Sequence, residues 1–541
     1  MEVLSNARVD HLGLVAGFAK EMKLAERIDK LLGVYPDEKV TVGESVVAMI
    51  LNGLGFTDRP LSLVSQFFEN VPISMLFREG LSAEDFNRFK LSRALDRIAA
   101  YGCEALFGQI ALGVATDFDL QHDISPFDTT SFSLTGDHLS DSDESTISVT
   151  KGYSKDHRPD LKQIVQELGC SSDEGVPLFM KMWDGNESDN KIFQARAKEL
   201  IKQLSDPYSV KAVVADSKFY SASNAENMVL LPFITRVPET IGAVRNLIEK
   251  ALSDPDEWLA HSESRDYKAY DVEDLGIKQK WVVVFSKAAE ARSDTSLNKK
   301  VKRERDKIEK ALFHFRAQRF NCVPDAEKAL SKLVRGWDFH TMTDHKVEEH
   351  RKYAGRGRPK PGAEPTAVEY QIIVSFEQNT QKISREKLMG QCYVLASHGE
   401  LVDLSVTEII SAYSDQQNVE RGFRFLKDPF FFTSSLFVKN PRRIEALVTV
   451  MTFALLLYSY AQRRLRRQLA DKGEALPNQI KKLTQTPTLR WIFQVLQGVS
   501  CLTIKTNEGL QTIWTGLSEL RVKILKLFSQ QVCQIYQLSS A

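Results

Sequence analysis

Residues Ser405 to Asp428 read SVTEIISAYSDQQNVERGFRFLKD, and the organisation of the rest of the chain follows from this stretch. Ser405, with Glu408 three residues later, forms a capping box, which marks the N-terminus of a helix. Pro429 cannot continue a helix, so the sequence predicts one helix of about six turns. At about 100° per residue, four apolar residues fall on one side and predict the face that packs on a core. They are Ala412, Val419, Phe423 and Leu426.

A polar stripe runs beside the apolar one, because steps of three, four and seven residues return to the same side of a helix. Its members are Tyr413, Gln416, Glu420, Arg424 and Lys427. On this helix alone, the stripe is typical of a solvated face with one ion pair from Glu420 to Arg424. A functional interpretation needs support from other parts of the chain.

The composition bounds the class of protein. A chain of 541 residues predicts three or four domains rather than one core. Hydrophobic residues make up 43% and charged residues 26%, as in soluble globular proteins. Lysine and arginine number 71, and aspartate and glutamate also number 71, so the formal net charge is +0. The sequence therefore excludes a globally basic nucleic-acid binder, and any DNA-binding surface must be a local patch.

The cysteines and the apolar runs indicate the cellular compartment. Six cysteines are scattered without a CxxC pair, which argues against a structural zinc site and a disulfide framework. The first ten residues, MEVLSNARVD, have neither the basic nor the apolar part of a signal peptide. The longest apolar run, Ala446 to Ala461, falls short of the ~20 residues of a membrane span and predicts a buried helix. We expect a cytoplasmic protein without membrane contact.

Periodicity divides the first half of the chain. Residues 1–118 carry apolar residues at helical spacing and predict an all-helical N-terminal domain. From residue 119 the period changes to two, and TISVTKGYSKD (146–156) is among the predicted antiparallel strands. Residues 119–238 then predict a helix, a strand, a short helix and a further strand. Three antiparallel strands followed by these elements is the order of an RNase H-like α/β core.

In the second half of the chain, the predicted α/β core is interrupted and then resumes. Residues 239–385 break the order and predict a long insertion domain. From Lys299 to Lys360 there are 18 Lys or Arg against 9 Asp or Glu, so the local basic patch is expected here. Residues 386–475 predict a strand, the Ser405–Asp428 helix and a long helix, which we expect to form the second part of the core. Residues 476–541 predict a helical C-terminal region.

Three acids are candidates for catalysis. Asp128, in PFDTTSF, lies in the first strand of the β-rich region, where a turn or strand end is the alternative explanation. Asp216, in VVADSKFYS, ends a buried strand, and a helix N-cap is an equal alternative there. With Glu420 they supply three hard oxygen ligands, the type that Mg²⁺ prefers. Two such ions, about 3.5 to 4 Å apart, can activate a nucleophilic oxygen and stabilise the leaving oxygen of a phosphodiester.

The motifs resemble those of a known group of enzymes. The spacing of Tyr413, Gln416, Glu420 and Lys427 resembles the tyrosine, arginine, glutamate, lysine signature of bacterial insertion-sequence transposases. Gln416 stands where that signature has arginine. Five segments are similar to those of the insertion-sequence-four superfamily, in particular its branch numbered 1634. They are DTTSF, ADSKFYSASN, FITRVP, GYSKDHRPDLKQ and ERGFRFLKDP. The resemblance runs over nearly the whole chain.

The resemblance implies a DDE transposase. Asp128, Asp216 and Glu420 would be its metal-binding acids, holding two Mg²⁺ ions for which Mn²⁺ can substitute. Tyr413, Gln416, Arg424 and Lys427 are the candidate DNA contacts on the helix. Similar enzymes cut the ends of their element and join them to target DNA, so the implied partners are terminal inverted repeats, target DNA and a second copy of the chain at synapsis.

Other residues keep two interpretations. Arg356 and Arg358 flank a glycine as in the core of an AT-hook, a minor-groove motif, although such motifs are also common in linkers. Trp337 could stack on a flipped base or belong to a core. His340, His345 and His350 share no helical face, and we expect them at the surface.

Two other classes of function compete with a transposase. A related DNA-binding protein that no longer cuts would not need all three acids, and all three are present. A simple RNase H-like nuclease would not need the helical N-terminal region or the insertion.

Overall fold

The structure, a computed structural model, describes residues 2–56, 59–120, 124–135, 147–155, 158–203, 211–254, 256, 258–355, 358, 361–428, 438–507 and 509–539. It shows a mixed α/β protein with two compact units. The first unit comprises Met1–Thr235, Glu273–Gln279 and Ser397–Ala541. The second comprises Arg236–Val272 and Lys280–Ala396.

The strands, in chain order, are β1 (Glu2–Arg8), β2 (Ile124–Leu134), β3 (Lys162–Cys170), β4 (Pro177–Trp183), β5 (Ala212–Ala215), β6 (Phe233–Arg236), β7 (Leu259–Ser262), β8 (Arg265–Asp274), β9 (Ile277–Ser286), β10 (His340–Lys352), β11 (Ala367–Gln378), β12 (Cys392–His398), β13 (Leu476–Pro477), β14 (Leu483–Thr484), β15 (Ser500–Thr506) and β16 (Gly509–Thr515).

The α-helices, in chain order, are α1 (Leu12–Glu21), α2 (Leu24–Leu32), α3 (Val42–Leu54), α4 (Val64–Phe68), α5 (Ile73–Leu76), α6 (Arg88–Tyr101), α7 (Cys103–Asp117), α8 (Asp189–Gln203), α9 (Ala225–Met228), α10 (Gly242–Ser253), α11 (Glu290–Arg316), α12 (Val323–Val334), α13 (Thr380–Met389), α14 (Val406–Leu426), α15 (Pro441–Asp471), α16 (Leu489–Val495), α17 (Glu519–Lys526) and α18 (Gln530–Ile535).

The two halves of the first unit share one hydrophobic core. Helices α1 and α3 are apolar on nearly all sides, and both are buried almost along their whole length. A helix of this kind must be covered by other elements. The cover comes in part from the far end of the chain, because α1 packs against α18 and α3 packs against α15. Side chains from residues 9–182 and 419–536 belong to the same cluster.

The expectation of an all-helical N-terminal domain is wrong for its first residues. β1 is a strand that pairs antiparallel with β15, Arg8 opposite Ser500 and Val3 opposite Ile504. The hydroxyl of Tyr536 donates to the carbonyl oxygen of Asp10 at 2.5 Å. A strand whose only partner lies about 490 residues away carries little local signal, because pairing and not periodicity fixes its conformation.

The predicted helical C-terminal region also needs correction. β15 and β16 form an antiparallel hairpin, and Gly509 opens β16 at φ +121°, a conformation that suits glycine. Residues 519–535 form two short helices rather than one, because the Ser529 hydroxyl accepts from the Val532 N–H and caps a new helix, α18. Thus residues 476–541 mix short strands with three short helices.

A five-stranded part of the first unit follows the predicted order of elements. Its strands lie side by side as β4-β3-β2-β5-β6. β2, β3 and β4 pair antiparallel, whereas β2, β5 and β6 pair parallel. The predicted strand TISVTKGYSKD is wrong over its described part, residues 147–155, which form only a single bridge between Thr150 and Gln163. The acidic segment DHLSDSDES lies outside the described residues.

The 405–428 stretch has the predicted structure. The Ser405 hydroxyl accepts from the Glu408 N–H and the Glu408 carboxylate accepts from the Ser405 N–H, which confirms the capping box. The four residues of the predicted apolar stripe are all buried, none more than 6% exposed. The following helix, α15, is long and apolar enough to span a membrane by composition, but 89% of its apolar window is buried within the protein. This confirms the prediction of a buried helix.

The second unit has its own small core. Its strands β12-β9-β8-β7 lie side by side, and β10 and β11 form a separate two-stranded sheet. α11 and α12 pack on β11 around Phe315, Leu330 and Ile372. Trp337 packs against this cluster with its ring 5.6 Å from that of Phe376, so the core interpretation is confirmed.

One histidine expectation is wrong. His340 is 3% exposed rather than at the surface, because its Nδ1 lies 2.8 Å from Glu304 Oε2. The predicted insertion boundaries, 239–385, stay a prediction.

The contact between α1 and α18 depends on a glycine. A Cβ on Gly17 would lie 2.6 Å from Val532 Cγ2 and 2.8 Å from Val532 Cα, whereas a Cβ on Gly108 in α7 would meet nothing within 4 Å. Gly17→Ala should therefore lower the free energy of unfolding by about 1–3 kcal/mol through overpacking. Gly108→Ala, the matched control, should raise it by up to ~1 kcal/mol through helix propensity. Urea unfolding followed by circular dichroism measures both; equal effects would contradict the close packing.

Candidate active site

Two of the predicted acids lie at equivalent positions of neighbouring parallel strands. The register of β2 on β5 pairs Ile124 with Ala212 and Pro126 with Val214. Asp128 and Asp216 each lie two residues beyond that last pair, so they are level with one another. Adjacent strands are about 4.8 Å apart, and side chains at equivalent positions project from the same face. The two carboxylates therefore lie side by side at the carboxyl end of β5.

The face that carries Asp128 is covered by α14. Because side chains alternate along a strand, Asp128 shares its face with Phe132 and Leu134. Both apolar residues belong to the core cluster that includes Val419 and Phe423 of α14. Helix α14 contacts β2, β3 and β5. The Ser405–Asp428 helix is thus placed over the strands that carry the two aspartates.

Burial is the largest influence on the electrostatics of the pair. Burial raises the pKa of Asp128 to about 7, and the charges of Asp216 and Asp189 add to the rise, against the lowering effect of Lys155. Burial also raises the pKa of Asp216, with a further contribution from Asp189. Both carboxylates are therefore costly to ionise without a nearby cation.

Backbone N–H groups orient the two carboxylates. The N–H of Thr129 donates to Asp128 Oδ1 at 2.7 Å, and the N–H of Lys218 donates to Asp216 Oδ1 at 2.9 Å. The second contact closes a turn after β5, so the helix N-cap expected as the alternative for Asp216 is wrong, because the next helical turn begins only at Ala222. Because each carboxylate uses one oxygen in this contact, the other remains available for a ligand.

A third aspartate near the pair was not among the sequence candidates. Asp189 begins α8, and its Oδ1 lies 3.3 Å from Lys155 Nζ and accepts from the Thr129 hydroxyl at 2.5 Å. Its Oδ2 accepts from Lys218 Nζ. Burial works to raise the pKa of Asp189, but Lys155 and Lys218 outweigh it and hold that pKa below its ordinary value. Asp189 therefore holds two ammonium groups beside the acidic pair.

The sequence carried only a weak signal for this arrangement. An acid in the first turn of a helix is common, because it complements the positive end of the helix dipole. Lys155 lies in the segment GYSKD, and Lys218 lies two residues after Asp216. α8 is fixed against the sheet by a buried ion pair from Arg196 Nε to Glu167 Oε1 at 2.9 Å. This tertiary contact, which the sequence does not show, brings Asp189 to the site.

The helix residues predicted to bind metal or DNA differ in exposure. Glu420 and Arg424 are exposed on α14, and Tyr413 is half-buried. Gln416, expected on the polar stripe, is 7% exposed and lies on the buried side. Lys427 holds its ammonium 5.8 Å from the ring centroid of Phe132 on β2.

The predicted contacts elsewhere are less informative. Arg356 lies outside the described residues, and Arg358 is exposed. In the ranges that the structure describes, no group of three or more His, Cys, Asp or Glu side chains forms a metal-binding arrangement. The structure thus brings Asp128 and Asp216 together, and Glu420 lies on the helix that covers their strands; metal binding by these three acids stays a prediction.

Comparisons with known proteins match one domain family and include a distant structural likeness. The model of the family "Domain of unknown function (DUF4277)" matches residues 4–112. No curated protein matches the chain. The chain is similar to a solved structure described as the cryo-EM structure of a piggyBac transposase synaptic complex with hairpin DNA. The two are 10% identical with a TM-score of 0.31, and the alignment covers 91% of this chain and 82% of that chain. At this level the likeness carries no functional argument, so function has to be inferred from the site.

The raised pKa of Asp128 predicts a pH-dependent stability. The folded pKa of about 7 lies above the ordinary value of 3.8, so the folded state binds a proton that the unfolded state releases. Wild-type stability should therefore fall as the pH rises from about 4 through 7 in the absence of metal. Asp128→Asn removes the free-energy cost of keeping a carboxylate at this buried position. It should therefore raise the free energy of unfolding of the metal-free protein more at pH 8 than at pH 5, by on the order of 1–3 kcal/mol.

Thermal melts in EDTA at the two pH values measure this difference. Asp471→Asn changes an exposed aspartate at the end of α15 and is the matched control; its effect on stability should be the same at both pH values. An increase in the stability of Asp128→Asn that is equal at pH 5 and pH 8 would contradict the raised pKa of Asp128.

Proposed function

We propose that this chain is a metal-dependent DNA transposase that cuts the ends of an insertion sequence and joins them to target DNA. The observation that carries the proposal is the pair of carboxylates, Asp128 on β2 and Asp216 directly after β5, each two residues beyond the last pair of the parallel register. The local sequence around both acids resembles the DDE transposases of the insertion-sequence-four superfamily. We assign the chain to its branch numbered 1634 on that resemblance.

The order of the strands supports an RNase H-like core. Three antiparallel strands are followed by a helix and by two further strands that add in parallel on the other side of the first strand. In this core the first acid lies on the first strand and the second acid follows the fourth. The second unit and the helices of residues 1–118 would then be additions to the core, and the DNA-end recognition expected of those helices is part of the proposal.

The acidic pair fits divalent cations. Oxygen ligands are those that Mg²⁺ prefers, and Mn²⁺ accepts the same set. Burial makes both carboxylates costly to ionise, and the charge of Asp216 raises the pKa of Asp128 further, so a cation between them would relieve that cost. Two bound Mg²⁺ ions would supply activation of a nucleophilic oxygen and stabilisation of the leaving oxygen. Glu420 is the proposed third acid, because it lies on the helix that covers these strands.

Basic and polar side chains around the acidic pair are the proposed contacts for the phosphates of DNA. Lys155 and Lys218 offset part of the acidic charge through Asp189, and each can contact a phosphate that approaches the pair. Exposed Arg424, half-buried Tyr413 and Lys427 are the proposed phosphate contacts of α14. Gln416, at the arginine position of the signature, is buried, and we propose that it supports the helix rather than binding DNA. Terminal repeats would be paired by two copies of the chain.

Cleavage and binding should separate in variants of the two aspartates. Asp128→Asn and Asp216→Asn keep the size of the side chain and remove the charge that holds a cation. Each should lower cleavage of the DNA flanking the gene by orders of magnitude in Mg²⁺, with end binding retained. Asp471→Asn should cut as the wild type does. Mapping of cut ends and gel-shift titration measure both properties; normal cutting by either site variant would remove that residue from the ligands.

Glu420 is tested on its own, because no described group of three acids includes it. Glu420→Gln should abolish cleavage as the aspartate variants do, and it should also weaken Mn²⁺ binding measured by calorimetry on the DNA complex. Gln417, its exposed neighbour on α14, provides the control as Gln417→Ala. Full cleavage by Glu420→Gln would show that the third ligand is another residue.

A further inference from the structure

Helix α11 in the second unit has two contrasting sides. Its buried residues, spaced for one helical face, are Leu297, Val301, Ile308 and Phe315. The opposite side is exposed and strongly basic. Four of its side chains fall within about 80° of one another at 100° per residue, and we call them the cation row. They are Lys299, Arg303, Lys307 and Lys310, all exposed.

The cation row has the dimensions of a backbone-binding surface. From Lys299 to Lys310 the helix rises about 16 Å, and successive members are three or four residues apart, so their Cβ atoms are about 5–6 Å from one another. Lys300 and Lys302 add exposed positive charge on either flank. In the part of the chain that the structure describes, no carboxylate pairs with any member of the row.

The acids of the same helix are used elsewhere. Glu304 accepts from the N–H groups of Asp338 and Phe339, both at 2.7 Å, and contacts His340. Glu309 lies 2.9 Å from Arg305 Nε, on the other side of the helix from Arg303. Asp306 is the acid that lies beside the row, and it is exposed. Among the described residues, no member of the row thus has a carboxylate within 4.0 Å, whereas the neighbouring Arg305 is paired, and Asp306 is one acid beside four cations.

Four aligned cations with one acid beside them concentrate positive charge in a chain of net charge +0. Like charges at i,i+4 spacing slightly destabilise a helix, so helix stability does not explain these cations. A regular line of negative charges is the partner that matches them. One strand of a DNA duplex carries a phosphate every 3.4 Å along the axis, so about five phosphates lie within the 16 Å length of the row.

We propose that the cation row of α11 binds the phosphate backbone of duplex DNA. The inference builds on the proposed function, because it assigns a DNA contact to the second unit of a transposase, but it concerns a surface outside the acidic site. The contact is independent of base sequence, since lysine and arginine read the backbone by charge. It adds affinity and salt dependence and leaves the choice of DNA end to other residues.

The test compares two arginines on one helix. Arg303 belongs to the row, and Arg305 pairs with Glu309 on another side; substitution of either by alanine removes one positive charge from α11. Binding to a labelled duplex is titrated at several salt concentrations, using full-length protein that carries Asp128→Asn so that the DNA stays intact. Arg303→Ala should reduce the log–log salt slope by about 0.9, and replacement of all four members should reduce it by about 3–4. Arg305→Ala should leave the slope unchanged.

A second duplex of scrambled sequence and equal length should show the same changes. The proposal is overturned if neither arginine changes the slope, or if both change it equally, which would indicate a general effect of net charge. Failure of the proposed function gives a different result. In that case protein without the Asp128→Asn substitution would not cut the flanking DNA. The difference in salt slope between Arg303→Ala and Arg305→Ala would persist.

Discussion

The parallel pairing of β2 with β5 is the constraint on which the site depends. It places Asp128 and Asp216 level with one another, where burial makes both carboxylates costly to ionise and the charge of Asp216 adds to that cost for Asp128. Neighbouring groups offset part of this cost. Backbone N–H groups orient each carboxylate, and Asp189 draws the ammonium groups of Lys155 and Lys218 to the edge of the pair. The positive charge beside the pair therefore comes from two lysines that Asp189 also binds.

Local signals made the main elements predictable. The capping box at Ser405 and the apolar stripe of α14 specify a helix and its buried face without any distant partner, and both are present in the structure. The alternation of PFDTTSF and the Val- and Ala-rich run before Asp216 likewise placed the two acids on strands. These features depend on residues within a few positions of one another, which is why periodicity detects them.

The features that the sequence did not reveal depend on long-range contacts. β1 is a strand because β15 pairs with it, and Asp189 reaches the site because Arg196 fixes α8 to Glu167. Gln416 was expected on the polar stripe from its angle on the helix, yet it is buried because the packing on α14 extends beyond the apolar stripe. An angular pattern describes the sides of a helix, whereas its neighbours decide how much of each side is covered.

The shared core of the two chain ends has a consequence for the order of events during synthesis. β1 lacks its partner until β15 (Ser500–Thr506) has been made, and α1 lacks the side of its cover that α18 (Gln530–Ile535) provides until later still. Helices α2, α3 and α5, which follow directly in the chain, can cover the other sides of α1 early. At ~5–20 residues per second, the side of α1 that faces α18 stays exposed for roughly half a minute or longer after α1 has been made. The core of the first unit is therefore completed only after α18 has been synthesised.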